Sequence, residues 1–359
     1  TAAGSQSITL NESNTFSSTV AFSSGGTLAN VEVKDTTAFV LAETANLTLS
    51  GDLTVTTVAG GLSDTNILVV PGTTTITATG QSVVLNNASN NFGTAIFTGT
   101  GNGVASVEVV DTNAIEIGAS KSSGDFKVTA GGDITDDGII TVAASDATLY
   151  AITNANNGDV TLNELAVTGF IDLATHVDGS NNTSHATIVN ATAVQLAAST
   201  VDGDLSTTAT TGNITQTGAL TIKGTSTLVT SADDADITLT ETSNAFTGAL
   251  LVTTNDNTDG ADGVYTADVS IDGGTTGLIM GLSTIDGALT LLGGGTITDT
   301  GIATVAGTLS ATTDASSSLI TLNQLAVDGA FTLAPHGTGA VTIVNDAGLD
   351  LALSTMGGT

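Results

Sequence analysis

Short stretches in which hydrophobic and polar residues alternate recur along the whole chain. Leu53 and Val55 alternate with threonines, and so do Leu220 and Ile222. Alternation with a period of two is typical of β-strands that bury one face. Gly, Asn and Asp separate these stretches, and they favour tight turns because they tolerate left-handed backbone conformations. The pattern therefore predicts an all-β protein made of many short strands joined by turns.

The predicted strands return in a fixed order, which defines a sequence repeat. The segment ITLN, ending in Asn11, recurs with small changes at separations of 75, 77, 77 and 83 residues. Each copy is followed by an apolar strand that runs into an Asp or Asn turn. The first marker, the ITLN-type segment, begins at Ile8, Val83, Val160, Ile237 and Ile320. The second marker, the apolar strand, begins at Val31, Val107, Ala186, Val269 and Val341. We therefore divide the chain into repeats of roughly 77 residues, at 7–81, 82–158, 159–235, 236–318 and, in part, 319–359.

A repeat of this length divides into four coils of about 19 residues. In the first repeat the coils start near Ser7, Leu28, Asn46 and Ile67. Strands stacked coil on coil, ~4.8 Å apart, predict a parallel β-helix (a β-solenoid) of about 18 coils. The chain would then be one continuous repeat solenoid over residues 1–359. An array of β-sandwich domains is the alternative, but such domains commonly bury a Trp, and this chain has none.

Stacking also predicts which side chains meet. Equivalent residues of successive coils lie above one another, with Val, Ile and Leu inside. We therefore expect one equivalent leucine of each repeat to be buried: Leu10, Leu85, Leu162, Leu239 and Leu322. The asparagine that follows this leucine is a candidate for a stacked ladder of side-chain amides, at Asn11, Asn86, Asn163 and Asn323.

Composition and charge exclude several classes of function. The 359 residues carry a formal net charge of −31, with four Lys, no Arg, no Cys and no Trp. Nucleic-acid binding needs a cationic surface, which four lysines do not make. Thiol catalysis, disulfide frameworks and zinc fingers need Cys. No stretch of roughly 18 apolar residues is present, so we expect no membrane span.

Several of these segments resemble a known family. The string GQSVVLNNASNNFGTAIFTG at 80–99, followed by VEVVDTNAIEIG and GDFKVTAGGDITDDG, is similar to the haemagglutinin-type repeats of filamentous-haemagglutinin-like bacterial exoproteins. The resemblance runs from Ser7 to about Ser354. It implies a right-handed parallel β-helix, export to the bacterial cell surface, and a role as a structural or adhesive shaft or filament subunit.

One loop has the composition of a calcium site. The segment NDNTDGADG at 255–263 is rich in oxygen donors and broken by glycine, as calcium loops are. We take Asp256, Asp259 and Asp262 as candidate Ca²⁺ ligands. The segment lacks the Glu of an EF-hand at its twelfth position, where Thr266 stands, so a solvated surface insertion is the competing interpretation. We predict no other cofactor.

The runner-up function is a β-helical protein that binds or cleaves polysaccharide. Hydrolysis needs two carboxylates at a fixed separation, and Asp136 with Asp137 or Asp111 with Glu108 are the pairs that suggest themselves. Nothing in the sequence singles out either pair, so we predict no enzyme. His176 and His185 flank a loop and could in principle share a metal, but we favour a surface insertion with two incidental histidines.

The expected partners follow from the repeat. Neither terminal strand carries a helical or charged cap, and an uncapped solenoid edge offers free backbone groups for pairing. We therefore expect residues near 1–10 and 349–359 to contact further coils of the same protein or neighbouring copies end to end. A cell-surface or glycan receptor is the remaining expected partner.

Overall fold

The computed structural model describes residues 6–17, 20–23, 27–176, 183–255 and 266–355. The chain forms two compact units, Thr1–His176 and Val177–Thr359, which are described separately. All regular secondary structure in the described ranges is β-strand. No helix long and apolar enough to cross a membrane occurs among those residues.

The first unit contains sixteen strands in its described residues. In chain order they are β1 (Gln6–Asn14), β2 (Leu28–Asp35), β3 (Phe39–Leu41), β4 (Leu47–Thr48), β5 (Leu53–Thr57), β6 (Leu62–Asp64), β7 (Leu68–Thr77), β8 (Ser82–Leu85), β9 (Asn91–Thr98), β10 (Ser106–Asp111), β11 (Ile115–Ser122), β12 (Phe126–Ala130), β13 (Ile134–Val142), β14 (Thr148–Thr153), β15 (Val160–Val167) and β16 (Phe170–Ala174). Strands β3, β6, β8, β10, β12, β14 and β16 form one sheet, here called sheet B, and the others form sheet A.

The second unit contains twenty strands in its described residues. They are β17 (Ala186–Asn190), β18 (Val194–Leu196), β19 (Ser199–Val201), β20 (Leu205–Ala209), β21 (Ile214–Gln216), β22 (Leu220–Ile222), β23 (Ser226–Asp233), β24 (Ile237–Leu239), β25 (Ala245–Phe246), β26 (Leu250–Asn255), β27 (Val269–Asp272), β28 (Leu278–Met280), β29 (Ser283–Ile285), β30 (Leu289–Gly293), β31 (Ile297–Asp299), β32 (Ala303–Val305), β33 (Leu309–Thr313), β34 (Ile320–Val327), β35 (Phe331–Ala334) and β36 (Val341–Asn345). Its sheet A comprises β17, β20, β23, β26, β28, β29, β31, β32, β34 and β36, and the rest belong to sheet B.

Each unit is a parallel β-solenoid. The chain runs along sheet A, turns a corner, runs along sheet B and returns one turn further on, so every paired strand is parallel to its neighbour. Val31 pairs with Leu53, and Leu53 pairs with Thr74. The described residues of the two units form about 14 turns in total rather than the expected 18. The estimate was wrong because the length of a turn varies: Ile115 pairs with Ile134, 19 residues on, whereas Ile134 pairs with Val160, 26 residues on.

Consecutive sequence repeats are offset from each other by half a turn of the solenoid. In the first unit, the ITLN-type segments lie on β1 in sheet A, on β8 in sheet B and on β15 in sheet A again. In the second unit the strand that enters the Asp or Asn turn follows the same order, on β17, β27 and β36. In each case, two repeats occupy seven steps of sheet A pairing, so one repeat spans three and a half turns. Equivalent residues of neighbouring repeats therefore lie on opposite sheets.

The position of each repeat in the solenoid decides which stacking predictions hold. Four of the five equivalent leucines are buried as predicted, with Leu85, Leu162, Leu239 and Leu322 at most 1% exposed. The prediction for Leu10 is wrong, since it is 37% exposed. Among the described residues β2 follows β1 within sheet A, and no sheet B strand covers this end. The ladder of asparagine amides is also wrong, because Asn86 follows β8 in sheet B, whereas Asn163 lies on β15 in sheet A.

Candidate functional site

The predicted calcium ligands Asp256, Asp259 and Asp262 lie outside the described residues. At the edges of that segment, the Thr266 hydroxyl donates to Asp234 Oδ1 at 2.5 Å, and the Asp268 backbone N–H donates to Asp236 Oδ1 at 2.9 Å. Within the described ranges, no group of three or more His, Asp or Glu side chains is arranged to hold a metal.

The three histidines have different surroundings. His176 ends the first unit and His185 lies near the start of the second, and residues 177–182 between them lie outside the described part. His185 Nδ1 accepts a hydrogen bond of 2.9 Å from the Asp204 backbone N–H. This bond places the proton of the neutral imidazole on Nε2. His336 is a turn residue, whose carbonyl accepts from the backbone of Ser317 and Gly339.

The apolar strand of each repeat ends in an Asp or Asn. In several repeats the side chain of this residue accepts a backbone hydrogen bond from the preceding turn of the solenoid, and so holds the two turns together. Asp111 ends β10 and is 2% exposed. Its Oδ2 accepts from the Phe92 backbone N–H at 2.6 Å, and its Oδ1 accepts from Asn113 N–H at 2.8 Å. Asp35 makes the same pair of bonds, to Phe16 at 2.9 Å and Thr37 at 2.6 Å. Asn345, at the same repeat position, accepts from the Val327 N–H of the preceding turn at 2.8 Å. Asp35, Asp111 and Asn345 are here called the backward clamp, and Asn190 occupies the same position in the third repeat.

A second set of side chains clamps each turn to the one after it. Asp64, at the end of β6, accepts from the backbone N–H groups of Asn86 at 3.1 Å and Asn87 at 3.4 Å. Asp136, on β13, accepts in the same way from Asn163 at 3.1 Å and Glu164 at 2.8 Å. The equivalent residues, here called the forward clamp, are Asp64, Asp136, Gln216 and Asp299. Together the two clamps hold the turn that carries the ITLN-type segment from both sides.

Burial raises the pKa of three aspartates at the ends of strands. Desolvation raises the pKa of Asp64 and of Asp111 above the ordinary value of 3.8, and the hydrogen bonds that each accepts oppose part of that rise. Burial also raises the pKa of Asp272, with a smaller contribution from the negative charge of Asp314. A raised carboxyl pKa is a feature of some catalytic acids. In Asp64 and Asp111 the carboxylate oxygens accept hydrogen bonds from backbone N–H groups of a neighbouring turn, so these two residues fit an inter-turn clamp.

The suggested carboxylate pairs do not converge on an open site. Asp111 points into the core, whereas Glu108, three residues earlier on β10, points outward and pairs with Lys127 at 3.4 Å. Asp136 is engaged by two backbone N–H groups, and its neighbour Asp137 is exposed. The sequence places Asp111 at a turn but carries no signal for the partners of Asp111 and Asp136, which include backbone N–H groups of another turn.

Two other lysines are also engaged. Lys121 Nζ donates to the Gly101 carbonyl at 2.7 Å. Lys223, which follows β22, pairs with Asp202, whose side chain is fully buried. An ion pair with one buried member needs its partner, because an uncompensated buried charge is costly. Much of the small positive charge of the chain is therefore used internally.

The fold and its clamps define a class of protein, a parallel β-solenoid whose repeat spans three and a half turns and is fastened by carboxylate and amide side chains. The family model described as "Repeats of unknown function (DUF5649)" matches residues 28–99, 104–173, 183–253 and 266–334. The chain belongs to this family. No curated protein and no solved structure matches the chain.

Proposed function

We propose that the chain is a structural and adhesive shaft, or filament subunit, of a secreted bacterial cell-surface protein. The observation that carries this proposal is the way the turns are fastened. Within each unit, both sheets join successive turns by parallel backbone pairing, and the clamps add side-chain bonds such as Asp111 to Phe92. These bonds run along the solenoid axis, so they oppose the separation of turns under load.

The location rests on the resemblance to haemagglutinin-type repeats. That resemblance supports export to the outside of a bacterial cell, where such repeats form extended surface proteins. An acidic chain of net charge −31 without Cys is compatible with that setting. The proposed partners are further coils of the same protein or neighbouring copies, and a receptor at the cell surface.

Mechanical unfolding tests the shaft function. The chain is held at both ends in a force spectrometer and pulled. A shaft is expected to lose its turns in small successive steps, and Asp111→Ala is expected to lower the force of one step. Asp111→Asn is the matched control, because Asn occupies the same repeat position at Asn190. A single collapse at low force that neither variant changes would contradict the proposal.

Surface labelling tests the location separately. Antibodies raised against the purified chain are expected to label intact cells of the source bacterium, and protease added to those cells is expected to remove the label. Labelling only after the cells are permeabilised would contradict the surface location while leaving the mechanical result to stand by itself.

A further inference from the structure

The second unit has an open polar groove on the outer side of its sheet A. The groove has a volume of about 350 Å³ and lies across β17, β20 and β23. Its polar lining consists of His185, Thr187, Asp204, Ser206, Thr225 and Thr227. No Lys and no aromatic residue lines it.

Three hydroxyl groups form a row along this groove. Thr187 pairs with Ser206, and Ser206 pairs with Thr227, so one hydroxyl lies on each of three successive turns. Paired strands in a sheet are ~4.8 Å apart. The three side chains are partly exposed, and their hydroxyls make no hydrogen bond to any residue in the described part of the chain.

One carboxylate lies at the end of this row. Asp204 Oδ1 accepts from the Thr225 backbone N–H at 2.7 Å, which fixes the side chain. Its other oxygen, Oδ2, lies 3.6 Å from His185 Nδ1, and the Asp204 side chain is 58% exposed. The approach of the two turns depends on Gly224, since a Cβ there would lie 2.3 Å from Asp204 Oδ1.

The first repeat contains the same turn without the same surface. Asn30 Oδ1 accepts from Asp52 N–H at 2.7 Å, and Asp52 Oδ1 accepts from Thr73 N–H at 2.9 Å. These bonds match those of His185, Asp204 and Thr225, so the turn itself does not require histidine. Where the groove has Thr187, the first repeat has Glu32. The third repeat therefore has a hydroxyl at the position where the first repeat has a carboxylate.

We propose that this groove binds a neutral saccharide, with successive sugar residues along the row of hydroxyls. Thr and Ser hydroxyls both donate to and accept from sugar hydroxyls, and the Asp204 carboxylate accepts from them more strongly because it is charged. A lining with one carboxylate and no cation repels uronates and sulfated sugars. The lack of an aromatic platform places the dissociation constant on the order of 1 mM.

Titration of the full chain with defined oligosaccharides tests this site. The probes are cellohexaose, mannohexaose and chitohexaose, with a polygalacturonate hexamer as the anionic comparison, followed by isotope-edited NMR. At least one neutral hexaose is expected to shift the resonances of β17, β20 and β23, and the anionic hexamer is expected to leave them unchanged. The combined variant Thr187→Val and Thr227→Val, and separately Asp204→Asn, are expected to weaken binding about fivefold or more.

The controls lie at the equivalent positions of the first repeat. Thr75→Val and Asp52→Asn are expected to leave the affinity unchanged, and circular dichroism shows that every variant is folded. The proposal is overturned if no neutral hexaose binds when its concentration is about ten times the expected dissociation constant. It is also overturned if the anionic hexamer binds better, or if control and groove variants lose affinity equally. None of these results bears on the shaft function, which depends on the clamps and not on this groove.

Discussion

The Asp111 carboxylate accepts a hydrogen bond of 2.6 Å from the backbone N–H of Phe92, nineteen residues earlier in the chain. Both groups are buried, with Asp111 and Phe92 each 2% exposed. The bond joins two turns of the solenoid through a side chain, in addition to the backbone pairing of the sheets.

Asp111→Ala is expected to destabilise the first unit. It leaves the buried N–H of Phe92 without its acceptor, and an unsatisfied buried donor costs about 1–3 kcal/mol. Urea unfolding followed by circular dichroism is expected to show an earlier transition. Asp111→Asn keeps one acceptor oxygen and is expected to lose less than half as much. Equal losses in the two variants would show that packing, and not the hydrogen bond, explains the effect.

The pH dependence of stability follows from the raised pKa values of Asp64 and Asp111. Because burial raises each pKa above 3.8, the folded protein binds these protons more tightly than the unfolded chain does. The stability they contribute is fully present below pH 3.8 and is lost as pH rises through the raised values. The melting temperature is therefore expected to be higher at pH 4 than at pH 8.

A variant separates this effect from the general relief of charge repulsion. Asp64→Asn combined with Asp111→Asn removes the two titrating groups and is expected to reduce the gain between pH 8 and pH 4. Asp52→Asn, at an exposed turn, changes the net charge in the same direction without removing a buried acid. If the unaltered protein, the double variant and Asp52→Asn show the same dependence of melting temperature on pH, the effect does not come from Asp64 and Asp111.

The uncovered first turn can be checked with two equivalent leucines. Leu85 is fully buried, whereas Leu10 is 37% exposed, although both occupy the same repeat position. Leu85→Ala is expected to cost about 2–5 kcal/mol, the usual range for a buried leucine. Leu10→Ala is expected to cost less than about 1 kcal/mol. Urea midpoints of the two variants give the comparison, and similar losses would mean that Leu10 is covered in solution.

Calcium dependence tests the acidic segment at 255–263. A folded chain of net charge −31 brings carboxylates together, and divalent cations relieve their repulsion. Millimolar Ca²⁺ is expected to raise the melting temperature relative to a chelator at matched ionic strength. The triple variant Asp256→Asn, Asp259→Asn and Asp262→Asn is expected to lose most of that rise. A melting temperature indifferent to chelator would remove the calcium site from consideration.

Much of the fold could be predicted from the sequence. The coil starts expected near Leu28, Asn46 and Ile67 fall within one residue of the sheet A strands β2, β4 and β7. The next expected start, at residue 82, falls on β8 in sheet B instead. A sequence repeat gives the number of residues per repeat, but not per turn, because corner lengths vary. The half turn was therefore not predictable from the period alone.

The sequence predicts which residues form the clamps but not the groups that they bind. The repeat marks Asp35 and Asp111 as equivalent turn residues, and this part of the analysis is confirmed by their matching bonds. Their partners are the backbone N–H groups of Phe16 and Phe92, and a backbone group has no sequence signature. The groove at Asp204 escaped prediction for a related reason, because its three hydroxyls come from strands that meet only once the turn length is known.

A repeat of three and a half turns constrains how such a protein can change in length. Loss or duplication of one repeat would move every later residue to the opposite sheet, so a groove such as that at Asp204 would face the other way. Loss or duplication of two repeats restores the original facing after seven turns. Where a binding surface must keep its side, length is therefore expected to vary among relatives in even numbers of repeats.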